Sequence, residues 1–457
     1  MSSSDSSLHE LPVLLTQRRL RSVAPDRPRV ALMAVLLAAA MPIRIVHSVP
    51  LLGSASVLDL ALVIAGVTLF LDLAFRPLNV GYRELFWLLS VPLLLSVISF
   101  TWSMDRPATL RVAINFAEGL VAYLFVIREL QGLTPTGIVK YMKRYSYLVI
   151  IPAVLLLLHI PGFEPREEAG PSSGDYIRYF SRLSHPVIGS SNNLATVLAF
   201  FVPILFYWGH TRRDPPATRA GVISLIAIGL TLSRGIPLAL VIAGVLYIPF
   251  RGRRTDAAAG GLGAKIAATV ALGAVAIGVF YAINAPTRDF FEGRLSAANV
   301  EQRIDLFSYS FAQIEANPLL GAGAGVTPGI ASMQPNSPVS LDLYNVRPTT
   351  DSSPQRAVDV HNAYLQQAIF FGLPLGVLVS IALCATAGVF LARRQTVALA
   401  GVIAYALIVQ LISFLFEGSF QGTLLRVLFY LSIGMATALL RSVEQEQESS
   451  ARVRAVA

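Results

Sequence analysis

The sequence predicts an all-α, polytopic membrane protein of about twelve transmembrane helices with one large outer loop. Three observations carry that prediction. Hydrophobic residues fill 54% of the 457 positions and charged residues only 14%, against roughly 25% charge in a soluble domain; mean hydropathy is +0.62. Apolar residues come in runs of membrane-crossing length. Arginine and lysine gather beside alternate runs, as in cytoplasmic loops, which accounts for the net charge of +9 without a nucleic-acid partner.

A polar tail, Met1 to Arg29, precedes the first apolar run and shows no convincing cleavage site, so that run reads as an uncleaved anchor. Spans are expected near 30–50, 56–75, 84–101, 110–127, 145–161, 194–209, 218–233, 235–250 and 265–284, then 362–391, 396–416 and 423–441. An even number puts both termini on one side. The tail (Arg18, Arg19, Arg21, Arg27, Arg29) then shares a side with Arg76/Arg83, Arg128/Lys140/Lys143/Arg144, Arg212/Arg213/Arg219, Arg251/Arg253/Arg254 and Arg393/Arg394. That side is cytoplasmic by the positive-inside rule. The expected organisation is therefore a cytoplasmic tail (1–29), nine helices (30–284) interrupted by an outer loop (162–193), a large extracytoplasmic loop (285–361), three helices (362–441) and a polar cytoplasmic tail (442–457). Cys384 is the single cysteine and lies in an apolar run, which excludes an intrachain disulfide or cysteine metal cluster.

The run between Arg219 and Arg251 decides the topology. Its 31 residues hold one charge, Arg234, within Thr231-Leu-Ser-Arg-Gly-Ile-Pro237. As one helix it would be about 46 Å long against a hydrocarbon core of about 30 Å. Two short helices turning at Ser233-Arg234-Gly235 keep both basic clusters inside, and Gly235 and Pro237 suit such a break. Each arm is then about 22 Å long, which leaves Arg234 below the outer interface. An arginine at that depth is either functional or snorkels to headgroups.

Asp359-Val-His-Asn-Ala-Tyr-Leu-Gln366 closes the large loop and opens a long apolar helix. His361 then lies among the unpaired N–H groups of a helix N-terminus, where it could take a proton from a hydroxyl while the helix end favours an anion. Capping or loop packing is the alternative reading. Arg303 opens an amphipathic helix with apolar residues at 304, 307, 311 and 314. It ends at Asn317-Pro318 and runs into Gly321-Ala-Gly-Ala-Gly325, which is either a tight turn or a segment packed on bundle or ligand. Arg178, Arg182 and His185 precede Gly189-Ser-Ser-Asn-Asn-Leu-Ala195, where Asn192 or Asn193 suits an N-cap and Asn193 a second polar role. Asp59 and Glu118 lie within spans and read as partners of Arg111 or of backbone groups; Glu417 and Arg426 flank the last outer hairpin. No His-Glu-x-x-His, outer Asp-x-Asp or Walker motif occurs, so metal-assisted hydrolysis and ATP-driven transport lose support.

Four patches, in order, resemble the O-antigen ligase and polymerase family of bacterial membrane glycosyltransferases. They are Arg182-Leu-Ser-His-Pro-Val-Ile-Gly-Ser-Ser-Asn-Asn-Leu-Ala195, Leu232-Ser-Arg-Gly235, Arg303 through Asn317-Pro-Leu-Leu-Gly-Ala-Gly323, and His361-Asn-Ala-Tyr-Leu-Gln366. The resemblance implies a GT-C-like fold in the bacterial inner membrane and a metal-independent, cofactor-free glycosyltransferase. It would move a glycan from undecaprenyl pyrophosphate to an acceptor hydroxyl on a glycan or glycolipid, with the active site facing outward. It also implies that His361 is catalytic and that Arg234, Arg303 and Arg182 bind the donor pyrophosphate, supported by Asn193, Asn362 and Tyr364. Phe370 departs from the pattern, since a Glu often follows the HN pair there. A polymerase joining lipid-linked repeat units, or an enzyme acting on a protein hydroxyl, shares the same motifs. A transporter should show broken-helix repeats in both halves, and the sequence shows one break, at 233–237.

Overall fold

The computed structural model describes residues 29–41, 44–49, 53–75, 79–158, 191–231, 233, 235–247, 297–326, 362–415 and 423–456; of 44–49, 53–55, 73, 157, 191, 247, 297–303, 305, 423–425 and 456 only the backbone is described. Among the described residues it is helical apart from one small strand pair. The helices are α1 Val30–Ala40, α2 Val57–Leu73, α3 Arg83–Ser99, α4 Arg106–Leu130, α5 Pro135–Leu157, α6 Ser191–Thr211, α7 Pro215–Leu230, α8 Gly235–Tyr247, α9 Ala297–Ala316, α10 Ala363–Arg393, α11 Ala398–Ser413 and α12 Thr423–Val456. Each expected span overlaps a helix in part or whole except 265–284, which lies outside the described residues. Among the described residues four helices, α4, α6, α10 and α12, are long and apolar enough to cross a membrane.

Local chemistry sets the helix starts. Asp105, Thr134 and Asp214 each accept a backbone N–H three residues on, at 3.0, 3.2 and 3.1 Å, and each is followed by a proline in the first turn. That pairing satisfies an orphan donor and places proline where its missing N–H costs nothing. Ser56 and Asp59 form a reciprocal capping box on α2. Asp59 thereby accepts from the Ser56 backbone N–H, the backbone role among the two expected for it.

Three expectations need correction. The first span, 30–50, is a helix only to Ala40; Arg44–Val49 pairs antiparallel with Gly53–Ser56. Pro42 cannot continue a helix and biases Met41 to extended backbone, and the β-branched run after it suits a strand. The last element differs in extent: the helix of the expected 423–441 span runs on to Val456. The third correction, a break inside α10, shapes the site and is described below.

α4 and α12 form the centre. Contacts rise together along both, with Val112 beside Arg426, Gly119 against Tyr430 and Tyr123 against Gly434, so the helices run parallel. Glycine at 119 and 434 allows the close approach typical of membrane interfaces. The arginine-rich end is fastened by α12: Tyr82 donates to Glu444 at 2.8 Å, Arg441 to Asn79 at 2.5 Å and Ser442 to the Leu133 carbonyl at 2.8 Å. Burial beside the Glu444 carboxylate holds the Tyr82 phenol well above its ordinary range, so it remains a donor.

Candidate functional site

The site is built around the break in α10. Gly372 has φ 76° and ψ 168°, a conformation that suits only glycine. Pro374 two residues on has no N–H to bond the Phe370 carbonyl, and its ring would strike that carbonyl in a continuous helix. The chain therefore folds back. A Cβ on Gly376 would lie 2.6 Å from the Ala368 Cα, whereas eight residues of straight helix span about 12 Å. The first part of α10, residues 363–371, is a half-helix packed against its own continuation.

The glycine-rich segment after α9 repairs the break. Ala322 and Gly323 donate N–H groups to the Ile369 and Phe370 carbonyls, each at 2.9 Å, and Leu373 donates to the Pro318 carbonyl at 2.7 Å. Gly321 lies against the backbone of Gly372, Ile369 and Phe370, where no side chain fits. On its other side the segment is held by the α3–α4 turn: Met104 N–H donates to Ala322, Trp102 Nε1–H to Leu320, and Thr109 Oγ1–H to Ala324. Of the two readings of Gly321–Gly325, packing on the bundle is what the structure has. Phe370, at the position where the resemblance has Glu, is buried.

The other end of the half-helix is also fixed. Asn362 caps it, its Oδ1 accepting from Tyr364 and Leu365 N–H at 3.0 Å each. Ala363 N–H donates to the Phe414 carbonyl at 2.9 Å and the Tyr364 hydroxyl to the Leu411 carbonyl at 2.7 Å. The first three amides of the helix are thus already bonded. The free N–H donors expected beside His361 are absent there; the positive end of the dipole remains.

Buried polar groups cluster on these elements. Gln366, Gln367 and Gln410 are 0%, 1% and 2% exposed. Both amide atoms of Gln366 and of Gln367, and Oε1 of Gln410, have no hydrogen-bond partner among the described residues. Each such atom costs about 1–3 kcal/mol when left dry. Arg426, 1% exposed, stacks over Phe116 at 4.5 Å and reaches the Val112 carbonyl at 3.4 Å. Glu118 attracts it electrostatically, and Phe429, one turn on from Arg426, stacks on Phe414, beside the α10 half-helix. The sequence places Arg426 at an outer hairpin and gives Glu118 either Arg111 or backbone groups as its partner. A charge inside Leu425-Arg426-Val427 was the signal for it; nothing in the pattern marked the glutamines.

The expected site residues are placed unevenly. Asn362 and Tyr364 act as cap and brace, as described. Asn193 lies half-buried in the first turn of α6, which begins at Ser191, so neither Asn192 nor Asn193 is its N-cap. Arg303 lies on α9, its side chain outside the described residues. His361, Arg234 and Arg182 lie outside the described residues. The flanks of Arg234 are described: α7 ends at Leu230, α8 begins at Gly235, and Thr231, Ser233 and Ile236 are buried. The Thr231 hydroxyl donates to the Ile228 carbonyl at 2.6 Å and accepts from Ser233 N–H at 3.2 Å, which ends α7.

The half-helix, the glycine segment and the α7–α8 break all fall in residues 220–380, which match the family described as O-antigen ligase. The match supports the O-antigen ligase family. No curated protein matches the chain.

Proposed function

We propose that the protein moves a glycan from an undecaprenyl-pyrophosphate carrier to an acceptor hydroxyl at the outer face of the cytoplasmic membrane, without a metal ion. The observation that carries the reading is the half-helix 363–371, held at both ends, which begins two residues after His361 within the O-antigen ligase match. A discontinuous helix held in this way is how membrane proteins present a helix end to a charged substrate. Its fixation favours a stable position for the chain that carries His361.

In this reading His361 takes the acceptor proton as the hydroxyl oxygen attacks the anomeric carbon. The bond from that carbon to the pyrophosphate oxygen breaks and the lipid pyrophosphate leaves. Charge grows on the leaving group, so fixed arginines stabilise the transition state more than the ground state. Arg234, Arg303 and Arg182 are assigned that role, because guanidinium stays charged and pairs bidentately with phosphate oxygens. Positive neighbours and the helix end disfavour a second proton on His361, as a general base near pH 7 requires. Asn362 and Tyr364 position the half-helix, and Asn193 lines the approach from α6.

The test is transfer in proteoliposomes from lipid-linked glycan extracted from the producing cells, in the presence of a chelator. Glycan leaving the lipid for an acceptor, with release of undecaprenyl pyrophosphate, supports the proposal. Passage of the intact lipid-linked glycan across the bilayer without cleavage would make the protein a transporter.

A further inference from the structure

A groove of about 480 Å³ opens between the end of α6 and the first turns of α7, at the arginine-rich end of the bundle. Gly209 and Thr218 line it, and a side chain at Gly209 would strike Thr218, so α7 lies directly on α6 there. Val222 and Ile223 line its inner wall and continue as an apolar, exposed stripe to Ile226 and Leu230. Arg213 and Arg219, both exposed, line it as well, one turn or more before Val222 in the chain.

These two arginines differ from their neighbours. Arg212 is committed to Glu446 at 2.9 Å and to the Trp208 ring at 5.3 Å. Asp214, the nearest acid in sequence, caps α7 and pairs with Lys143 at 3.0 Å. Arg213 and Arg219 have no acidic partner among the described residues and are exposed. Arg213 also has φ 51°, left-handed backbone at the end of α6 where glycine is the usual and cheaper residue. A charged side chain is thus held at a position that backbone energetics would give to glycine.

We infer that this groove binds an anionic phospholipid, its phosphate between Arg213 and Arg219 and an acyl chain along Val222 and Ile223. Charge and apolar surface stand in the order that a phospholipid presents them, headgroup outermost. The helix N-terminus is not the anchor, because Pro215 and Pro216 lack N–H groups and Asp214 takes the next donor. Basic pockets between helices on the cytoplasmic side are recurrent sites for such lipids. This inference is independent of the glycosyltransferase reading.

Full-length protein in nanodiscs of equal parts phosphatidylglycerol and phosphatidylcholine is extracted gently, and the lipids it retains are counted by native mass spectrometry. The wild type should retain phosphatidylglycerol preferentially. Each arginine at a membrane surface contributes about a fivefold preference, so Arg213→Gly with Arg219→Gln should lower the ratio by up to about 25-fold. Arg213→Gly relieves the backbone, and its unfolding midpoint in pure phosphatidylcholine should hold or rise. If the double variant does not fold, Arg219→Gln alone must show the fivefold loss. No preference in the wild type overturns the inference. So does a loss from Arg83→Gln equal to that from Arg219→Gln, Arg83 being exposed at the start of α3, since that would mean diffuse surface charge only.

Discussion

Replacing Gly372 with alanine should be one of the costliest single-methyl changes in the chain. The backbone there costs an L-residue about 1–3 kcal/mol, and the new methyl runs into the carbonyl group of Leu319. Moving that segment away loosens the three hydrogen bonds that span the break, each contributing about 1 kcal/mol net. The expected loss is about 3–5 kcal/mol. Gly388→Ala in the same helix is the control, since its methyl meets open space and should stabilise by up to about 1 kcal/mol. Reversible unfolding of the purified protein in mixed micelles measures both. A Gly372→Ala loss below about 1 kcal/mol would refute the account of the break as a conformation only glycine can adopt.

Three further outcomes follow from the same reasoning. Gln366→Leu and Gln367→Leu each remove two unbonded buried polar atoms, so the unfolding midpoint should hold or rise; a fall above about 1 kcal/mol would mean these amides are satisfied in the membrane. Arg426→Met leaves the partly buried Glu118 without its countercharge and should cost about 3 kcal/mol, much of it recovered on adding Glu118→Gln; no recovery would show that the two do not interact. In a Cys384→Ser background, cysteine at Ser340 should label from outside intact cells and cysteine at Asp256 should not; equal labelling removes the expected topology.

Much of the architecture was legible because hydropathy and charge asymmetry are collective signals. The α7–α8 break followed from length alone, since a single apolar helix of that span would overshoot the bilayer. The break in α10 was missed although Gly372-Leu-Pro374 was in view, because an apolar run carries no periodicity that distinguishes one helix from two packed segments. Its repair by Gly321–Gly325 is a contact between residues some fifty apart in sequence, which no local pattern encodes. The capping role of Asn362 displaced the expected free amides at the helix end: a residue type favoured at N-caps took the donors assigned to a ligand. Arg426 stood out as a charge in an apolar run, but only the parallel packing of α4 and α12 revealed Phe116 and Glu118 as its neighbours.

The central claim, glycan transfer with His361 as the base, is tested most directly by separating transfer from donor binding in purified His361→Ala. The account predicts a transfer rate lower by about 10²- to 10⁴-fold, with affinity for undecaprenyl pyrophosphate unchanged. Arg234→Ala should show the reverse order of effects, weaker binding first. Transfer by His361→Ala at the wild-type rate would contradict the account and leave His361 as the residue before a cap.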